Sequence, residues 1–444
     1  MALSEHTLES RALRICNGAF VLSPGDAIVT VMCMPPPAGY FGLQTNVQAR
    51  WRTADVEGGA GLTYPEVGWG DALNQLTIKA QDAPGSGEID SEIDSEMASE
   101  IWDGVAAVIT TADGVTLLAA REALEDAGGL KSEAINVEVI DLALTKTWTG
   151  ADWRTDRPDV LETLMRYSVP FVDEAIANAW LTTSWPSLLI RAPLARAPSP
   201  IPPPPLTPRP SLTKGGLNES DAVGPRVAAL RMRVVDGMAA AGFSLTAAVQ
   251  FHAAPRPTSQ ACGVTIDSRD DFEALLNAPP PYCGSHYITR DALYSGLSSR
   301  EAYLGAATVV VTIGPISTLL GKCTFNNLQF EFSGPCKLII GRNDPRCVAA
   351  FTQMEMQGTS RAWFGDEGHT SDAEEVFAVA FGRSCPAKTN ASGTGCHVLA
   401  MRDVPTDARI GGDGGRCYVN PTTTVGPPPD EMLMPTMLVF DPHQ

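Results

Sequence analysis

The alternation of hydrophobic and polar positions predicts strands separated by turns in the first part of the chain. Segment 27–34 is β-rich and ends before three prolines, and segment 105–110 is a short apolar run typical of a buried strand. Similar patterns predict further strands at 73–79, 136–142, 165–172 and 187–191.

A helical pattern follows segment 105–110. Apolar residues recur there at the spacing of one helix face, at Leu117, Leu118, Ala120, Ala123, Leu124 and Ala127. Asp113 or Thr111 can cap the start of this helix, and Gly128 and Gly129 can supply the left-handed residue that ends it. A strand, a helix and a strand in succession indicate an α/β or α+β domain with a mixed sheet.

The later part of the chain begins with one helix and then becomes β-rich. Segment 226–241 has helical apolar spacing and is followed by Gly242, a helix-ending residue. After it, short β-rich runs alternate with Gly, Pro and Asn, at 307–313, 323–332, 337–340, 376–381 and 437–440. This spacing predicts a mainly antiparallel β-rich region.

A proline-rich segment separates these two parts. Residues 191–216, here called the strap, cannot form a helix or an inner strand, because proline fixes φ and lacks an amide donor. The strap therefore predicts an extended, solvated linker at 193–216, between a domain over 1–192 and a domain over 217–444. Recognition of its PxxP sequence by a partner is the less favoured interpretation.

The protein is acidic, with a formal net charge of −19. Such a charge repels phosphate backbones, and no basic cluster with aromatic residues offsets it, so nucleic-acid binding is not expected. Eight of the acidic residues lie in 82–103, which predicts a mobile acidic surface loop, with weak cation binding as the alternative. No apolar run is long enough for a transmembrane helix.

The cysteines suggest an oxidising compartment. Cys385 and Cys396 bracket a polar loop, and Cys262 with Cys283 forms a second candidate pair among the ten cysteines. Sequons at Asn218 and Asn390 are compatible with export. We therefore expect a secreted or luminal protein, with a cytoplasmic protein carrying reduced thiols as the alternative.

Standard catalytic motifs are absent from the sequence, which has no P-loop, dinucleotide fingerprint, HExxH or GxSxG. The densest polar cluster is His286, Tyr287, Arg290 and Asp291, in which the imidazole can act as a base and the guanidinium can hold an anion. The simpler interpretation is a polar loop in which Arg290 and Asp291 pair or cap a turn.

A second cluster contains Asp366, His369 and Asp372, whose carboxylates and imidazole can hold a divalent metal. Carboxylates outnumber imidazoles, and no second histidine lies at helical spacing. A solvated loop before the strand at 376–381 is therefore the simpler interpretation.

Three stretches together resemble a family of uncharacterised proteins, some of which are exported from bacteria. They are PPPAGYFGLQT (35–45), LMRYSVP (164–170) and YVNPTTTVGPPPDE (418–431). The family has no established activity, so the resemblance implies no catalytic residue. Where it would imply a histidine after a strand-end glycine, this chain has Gly314 followed by Pro315.

Two functional hypotheses follow from the sequence. The first is an enzyme that acts on a small molecule in a cleft between the two domains, because ligand sites are common at such places. Its reaction type, cofactor and oligomeric state are not assigned. The alternative is a non-catalytic exported protein that binds a partner or builds a surface layer.

Overall fold

A computed structural model of the protein describes most of the chain. The described residues are 19–52, 61–63, 65, 67–82, 104–150, 153–170, 174–182, 187–192, 196–209, 218–253, 268–277, 290–297, 302–332, 348–364, 371–383, 397–398, 409–421 and 424–443. Several sequence-based predictions lie outside these residues. They are the acidic loop apart from Asp82, the strand at 337–340, both candidate disulfides and the sequon at Asn390.

Strands and short helices alternate before the strap. In chain order they are β1 (Ala19–Phe20), β2 (Ala27–Cys33), β3 (Ala38–Arg52), β4 (Gly61–Thr63), β5 (Leu73–Asn74), β6 (Val105–Thr111), α1 (Gly114–Asp126), β7 (Ile135–Val139), α2 (Trp153–Asp156), β8 (Val160–Pro170), α3 (Glu174–Leu181) and β9 (Ser187–Ile190).

After the strap, strands predominate. The elements are α4 (Glu219–Ala240), β10 (Phe243–Ala253), α5 (Arg269–Asn277), β11 (Ala292–Leu297), β12 (Ala302–Tyr303), β13 (Val309–Pro315), β14 (Phe325–Phe332), β15 (Val348–Thr352), α6 (Gln353–Met356), α7 (Arg361–Phe364), α8 (Ser371–Glu374), β16 (Val376–Gly382), β17 (His397–Val398), β18 (Arg409–Tyr418) and β19 (Thr436–Pro442). Mixed α and β content with mostly antiparallel pairing confirms the predicted α+β, β-rich class.

The chain divides into two compact units. The first unit is Met1–Pro208 with Pro257–Asp291, and the second is Arg209–Arg256 with Ala292–Gln444. The sequence-based boundaries place residues 257–291 with the later part of the chain, whereas in this division they belong to the first unit. The first unit is therefore built from two separate stretches of sequence.

One sheet of the first unit contains the predicted strand–helix–strand. Its described strands run in the order β7-β6-β2-β9, and β6 and β7 pair in parallel across the intervening α1. Asp113 caps α1, because its Oδ2 accepts the Thr116 N–H at 2.8 Å, and Gly129 follows with φ of 64°. Ala120 of α1 packs on Val29 and Ile109 of this sheet. These observations confirm the predicted helix and its cap.

The second sheet of this unit packs on the opposite face of the first. Its described strands have the order β1-β8-β3-β4, with β5 also paired to β3. Phe41 of β3 shares a core with Met32 and Val108 of the first sheet. Phe272 of α5 is buried in a neighbouring core, which shows how residues 257–291 contribute to this unit.

The described part of the strap is hydrogen-bonded to the first unit. The Ile201 N–H donates to the Ala112 carbonyl at 2.9 Å, and the Gly114 N–H donates to the Ser199 carbonyl at 2.8 Å. Residues 202–205, all proline, are exposed. Residues 197–200 are exposed as well, so the expectation of a solvated segment fits both stretches, although backbone groups of Ser199 and Ile201 find partners around the start of α1.

The second unit is a large, mainly antiparallel sheet with α4 packed on it. Its described strands have the order β15-β14-β18-β11-β10-β19-β13-β16-β17, with β12 also paired to β18. Leu230 and Val234 of α4 pack on β13, β16 and β19. Phe330, Phe351 and Phe381 fill the core on the opposite face, and the ring centroids of Phe330 and Phe381 are 4.6 Å apart.

Several predicted elements have different bounds in the structure, and two of them are explained by local contacts. The predicted strand at 73–79 pairs only over β5, because the chain turns where the Thr77 N–H donates to the Asn74 carbonyl at 2.9 Å. Helix α4 starts at Glu219, well before the predicted start at 226, and includes Pro225. Asn218 caps the earlier start by accepting the Ser220 N–H at 2.8 Å.

A disulfide joins Cys323 to Cys417 in the second unit, a pair that the sequence analysis did not identify. Its sequence separation is 94 residues, and both cysteines belong to the small core around Leu293. In the described part of the chain, no helix combines the length and apolar character needed to cross a membrane.

Candidate functional site

Arg290 lies in a buried ion pair of the first unit. Its guanidinium is paired with Asp71 and donates a hydrogen bond from Nη2 to the Thr207 carbonyl at 2.7 Å. Only 1% of the residue is exposed. These contacts fix the end of the 257–291 stretch to the earlier part of the first unit.

Asp291 is buried beside Arg290 and accepts a hydrogen bond from the hydroxyl of Tyr40, which is also buried. A Cβ at Gly42 would collide with that hydroxyl, so the glycine makes room for the contact. His286 and Tyr287 lie outside the described residues. A catalytic group made of all four residues therefore stays a prediction.

The predicted metal cluster is described only in part. The backbone of Asp372 lies in α8, whereas Asp366 and His369 lie outside the described residues. The residues that the structure does describe hold no group of three or more His, Cys, Asp or Glu side chains arranged for a metal ion. The metal site at Asp366, His369 and Asp372 also stays a prediction.

A pocket in the first unit contains two carboxylates that are already paired. Asp26 and Asp159 both line it. Asp26 is 2.6 Å from Arg191 and Asp159 is 2.7 Å from Arg50. Since both carboxylates have buried or half-buried cationic partners, this pocket offers little free charge for chemistry.

A pocket in the second unit, here called the second-unit pocket, is a cavity of about 30 Å³ that is partly open to solvent. Leucine, methionine, proline and Phe377 side chains form most of its wall. Its polar side chains are those of Ser295, Ser317, Asn326 and Asn327. A mostly apolar wall with a few polar groups is typical of a small-molecule site.

Ser317 is positioned by the turn that follows β13. The Ile316 N–H donates to the Glu375 carbonyl at 2.8 Å, and the Lys322 N–H donates to the Ser317 carbonyl at 2.9 Å. Gly321, with φ of 69°, allows the chain to close this turn. The turn places Ser317 in the pocket wall and Lys322 behind it in the protein interior.

Behind Ser317 lies Glu219, the first residue of α4, which is fully buried. Its Oε2 accepts the Leu433 N–H at 2.8 Å, and Ser317 is among the groups that lower the pKa of its carboxyl. Burial raises the pKa of Glu219 to about 7, although Ser317, the Leu433 N–H and the charge of Lys322 act in the opposite direction. Such a carboxyl can exchange a proton near neutral pH.

Lys322 and Glu431 form a buried ion pair next to this carboxyl. Lys322 Nζ lies 2.9 Å from Glu431 Oε2, and 1% and 5% of the two side chains are exposed. Among the described residues, the Oε1 atoms of Glu219 and Glu431 have no hydrogen-bond partner. Lys322 is the cation among the groups that shift the pKa of Glu219, and it is already paired with Glu431.

Sequence analysis missed this cluster because its members are far apart in the chain and match no motif. Glu219, Ser317, Lys322 and Glu431 meet only when α4, the β13–β14 turn and the segment before β19 pack together. One local signal was present, since Asn218 is a typical N-cap residue and would place Glu219 in the first helical turn.

Comparisons with known proteins identify no family. No protein-family model matches the chain, and no curated protein matches it significantly. Among solved structures, the VPA0106 protein from Vibrio parahaemolyticus is similar at 12% identity and a TM-score of 0.37, over 95% of this chain and 87% of that one. A TM-score this low does not establish a shared fold, so nothing is transferred from that protein.

Proposed function

We propose that the protein is an enzyme that acts on a small molecule in the second-unit pocket, with Ser317 as nucleophile and Glu219 as its general base. One observation carries the proposal. Ser317 lines the pocket and interacts closely enough with a buried carboxyl, that of Glu219, to lower its pKa, which burial nevertheless raises to about 7. A hydroxyl nucleophile held by a base, with the base itself held by a third group, is the arrangement that covalent catalysis needs.

The third group is the Leu433 N–H, which fixes the carboxylate of Glu219. In the proposed reaction, Ser317 Oγ attacks an electrophilic carbon while Glu219 takes the hydroxyl proton. The same carboxyl then returns the proton to the leaving group. Lys322 supports this role because its positive charge favours the ionised, proton-accepting form of Glu219.

The enzyme hypothesis drawn from the sequence used a different group, with His286 as base and Arg290 as anion holder. That hypothesis remains a prediction for a site in the first unit. Arg290 is engaged with Asp71, and Asp291 with Tyr40, so those two side chains support a structural role at least as well.

A non-catalytic, exported binding protein is the second candidate. The disulfide between Cys323 and Cys417 supports it, because structural disulfides persist mainly in secreted and luminal proteins. Mass spectrometry of the native protein without reductant tests the export part. A free thiol at either cysteine in protein from its natural source would contradict export.

Reaction with methanesulfonyl fluoride tests the enzyme proposal. In this reaction Ser317 Oγ bonds to sulfur, fluoride leaves, and Glu219 takes the proton. Mass spectrometry of the whole chain should find one adduct, located on Ser317, that forms faster as pH rises through about 7, the pKa of Glu219. Ser317→Ala should prevent the adduct, and Glu219→Gln should remove its pH dependence.

Ser220→Ala is the matched control, because Ser220 is an exposed serine next to Glu219. It should react as the wild type does. If folded wild-type protein forms no adduct on Ser317, or if the Glu219→Gln variant reacts with the same pH profile, the enzyme proposal is wrong.

A further inference from the structure

Covalent geometry favours a polyproline II helix over the four consecutive prolines of the strap, at 202–205. Each proline fixes its own φ, and each residue that precedes a proline is driven out of the α region into extended backbone. Since 201–204 all precede a proline, residues 202–204 have both backbone angles restricted to that form. The polyproline II form needs no hydrogen bonds within the strap.

The N-terminal end of this run is fixed to the first unit. The Ser199 N–H donates to the buried carboxylate of Asp113 at 2.6 Å, and the Ser199 carbonyl accepts the Gly114 N–H at 2.8 Å. The Ile201 N–H, directly before the prolines, donates to the Ala112 carbonyl at 2.9 Å. The chain therefore enters the run from a fixed position.

The C-terminal end is fixed as well. Leu206, directly after the prolines, is half-buried and packs against the core that contains Phe272. The Thr207 N–H donates to the Asp71 carboxylate at 2.7 Å, and the Thr207 carbonyl accepts from Arg290 Nη2 at 2.7 Å. Because both ends are anchored, the run loses little further freedom when a partner binds it.

The prolines between these anchors are exposed, whereas the apolar residues at the two ends, Ile201 and Leu206, are half-buried. A polyproline II helix has about three residues per turn, so Pro202 and Pro205 lie on the same edge of the run. Residues 202–205, here called the proline ridge, therefore present an ordered row of apolar rings to solvent.

The proline ridge and its flanks carry no charge. Residues 199–208 contain no Asp, Glu, Lys, Arg or His, and Arg196, just before them, is paired with the buried Asp113. Recognition of the ridge must therefore come from contact with the proline rings rather than from ion pairs. Grooves lined by aromatic side chains bind polyproline II segments in this way, because such a segment is ordered before it binds.

We propose that the proline ridge is a docking surface for a partner protein whose binding groove is uncharged and lined by aromatic side chains. The observation that carries the proposal is an exposed, uncharged run of four prolines that hydrogen bonds and packing hold at both ends. A simple linker would not need these anchors. The proposal is independent of chemistry at Ser317, because the ridge belongs to the first unit.

Titration of the whole wild-type chain into an isotope-labelled WW domain that recognises uninterrupted proline runs tests the proposal by NMR. Only signals of the labelled domain are observed, and the signals that shift should belong to its aromatic groove. An SH3 domain, whose groove adds acidic residues for a basic ligand side chain, should bind more weakly. Absence of binding to the WW domain, or tighter binding to the SH3 domain, overturns the proposal.

Pro202→Ala combined with Pro205→Ala removes both rings from one edge of the ridge. It should weaken binding of the WW domain at least about tenfold, as expected when central contacts of an interface are truncated. Pro421→Ala is the matched control, because Pro421 is an exposed proline outside the strap, and it should bind as the wild type does. A folded double variant that binds as tightly as the wild type contradicts the proposal.

A synthetic peptide of residues 200–208 provides a test that does not depend on whether the double variant folds. The peptide should compete with the whole chain for the WW domain but bind about tenfold more weakly, because it must be ordered on binding. A peptide that fails to compete would place the contact elsewhere on the chain and sink the proposal. Equal affinity of peptide and chain would refute ordering of the ridge by its anchors.

A second copy of the chain is the alternative occupant of the ridge. The net charge of −19 opposes self-association, so sedimentation velocity should find a monomer at the concentrations of the titration. Self-association that disappears in the variant with Pro202→Ala and Pro205→Ala would show that the ridge binds a second copy. That result would overturn docking of an aromatic groove.

Discussion

Asp113 Oδ1 accepts the backbone N–H of Ser199 at 2.6 Å, which joins the start of α1 to the proline-rich strap. The same carboxylate caps α1 through Thr116 and lies 2.5 Å from Arg196 Nη2. One buried side chain therefore both starts a helix and holds the strap on the first unit.

Asp113→Ala should destabilise the first unit by about 2 kcal/mol, because it removes a helix cap and charge-assisted hydrogen bonds. Urea unfolding measures this loss, and the amides of Ser199 and Ile201 should exchange faster with deuterium. Asp126→Ala, at the exposed C-terminal end of α1, is the matched control and should change stability little. Unchanged exchange at both amides would show that the strap is held by other contacts.

The same carboxyl predicts a loss of stability in acid. Burial raises the pKa of Asp113, but hydrogen bonds from Ser199, Arg196 and Thr116 outweigh burial and hold the pKa below 3.8. A lowered folded-state pKa gives stability that is present above 3.8 and is lost as pH falls through the folded value. The loss of stability caused by Asp113→Ala, measured by urea unfolding, should therefore be smaller at acid pH.

Glu219 predicts the opposite dependence on pH. Its pKa is about 7 in the folded protein and 4.5 without burial. Its contribution to the free energy of unfolding is therefore fully present below pH 4.5 and is lost as pH rises through 7. The full loss is roughly 3 kcal/mol. Glu219→Gln should flatten this part of the stability curve measured by urea unfolding. Asp221→Asn, exposed in the same helical turn, should leave the curve unchanged.

Removal of one member of the buried ion pair between Lys322 and Glu431 should lower the free energy of unfolding strongly. Lys322→Met leaves the Glu431 carboxylate buried without its partner and should destabilise the second unit by about 3–5 kcal/mol. Adding Glu431→Gln to this variant should recover much of the lost stability, which thermal unfolding measures. Arg361→Ala breaks a far more exposed pair with Glu374 and should cost less than about 1 kcal/mol. Similar losses from both single variants would argue against an unpaired buried charge.

Loss of the disulfide should destabilise the second unit strongly. Cys323 and Cys417 close a long loop, and replacing both by serine should cost roughly 4–5 kcal/mol, mainly through the unfolded chain. Urea unfolding with and without reductant measures this. Cys33→Ser changes the described free cysteine, which is exposed, and should have no effect. A wild type equally stable with and without reductant would rule the disulfide out as a source of stability.

Local patterns in the sequence predicted much of the secondary structure. Strand β2, strand β6 and the capped helix α1 were predicted because strand and helix periodicity, caps and glycine stops act over a few residues. The bounds failed where a longer-range effect outweighed a local one. Buried packing keeps α4 helical through Pro225, and the turn after Asn74 shortens β5.

The sequence by itself therefore determined the mixed α and β content, the β-rich later part, the two longest helices and the acidic character of the protein. Only the tertiary structure decided that residues 257–291 join the first unit, that Cys323 pairs with Cys417, and that Glu219 lies behind Ser317. The physical reason is distance along the chain. Periodicity shows which face of an element is buried. Packing decides which distant side chains share that interior and how burial shifts their pKa values.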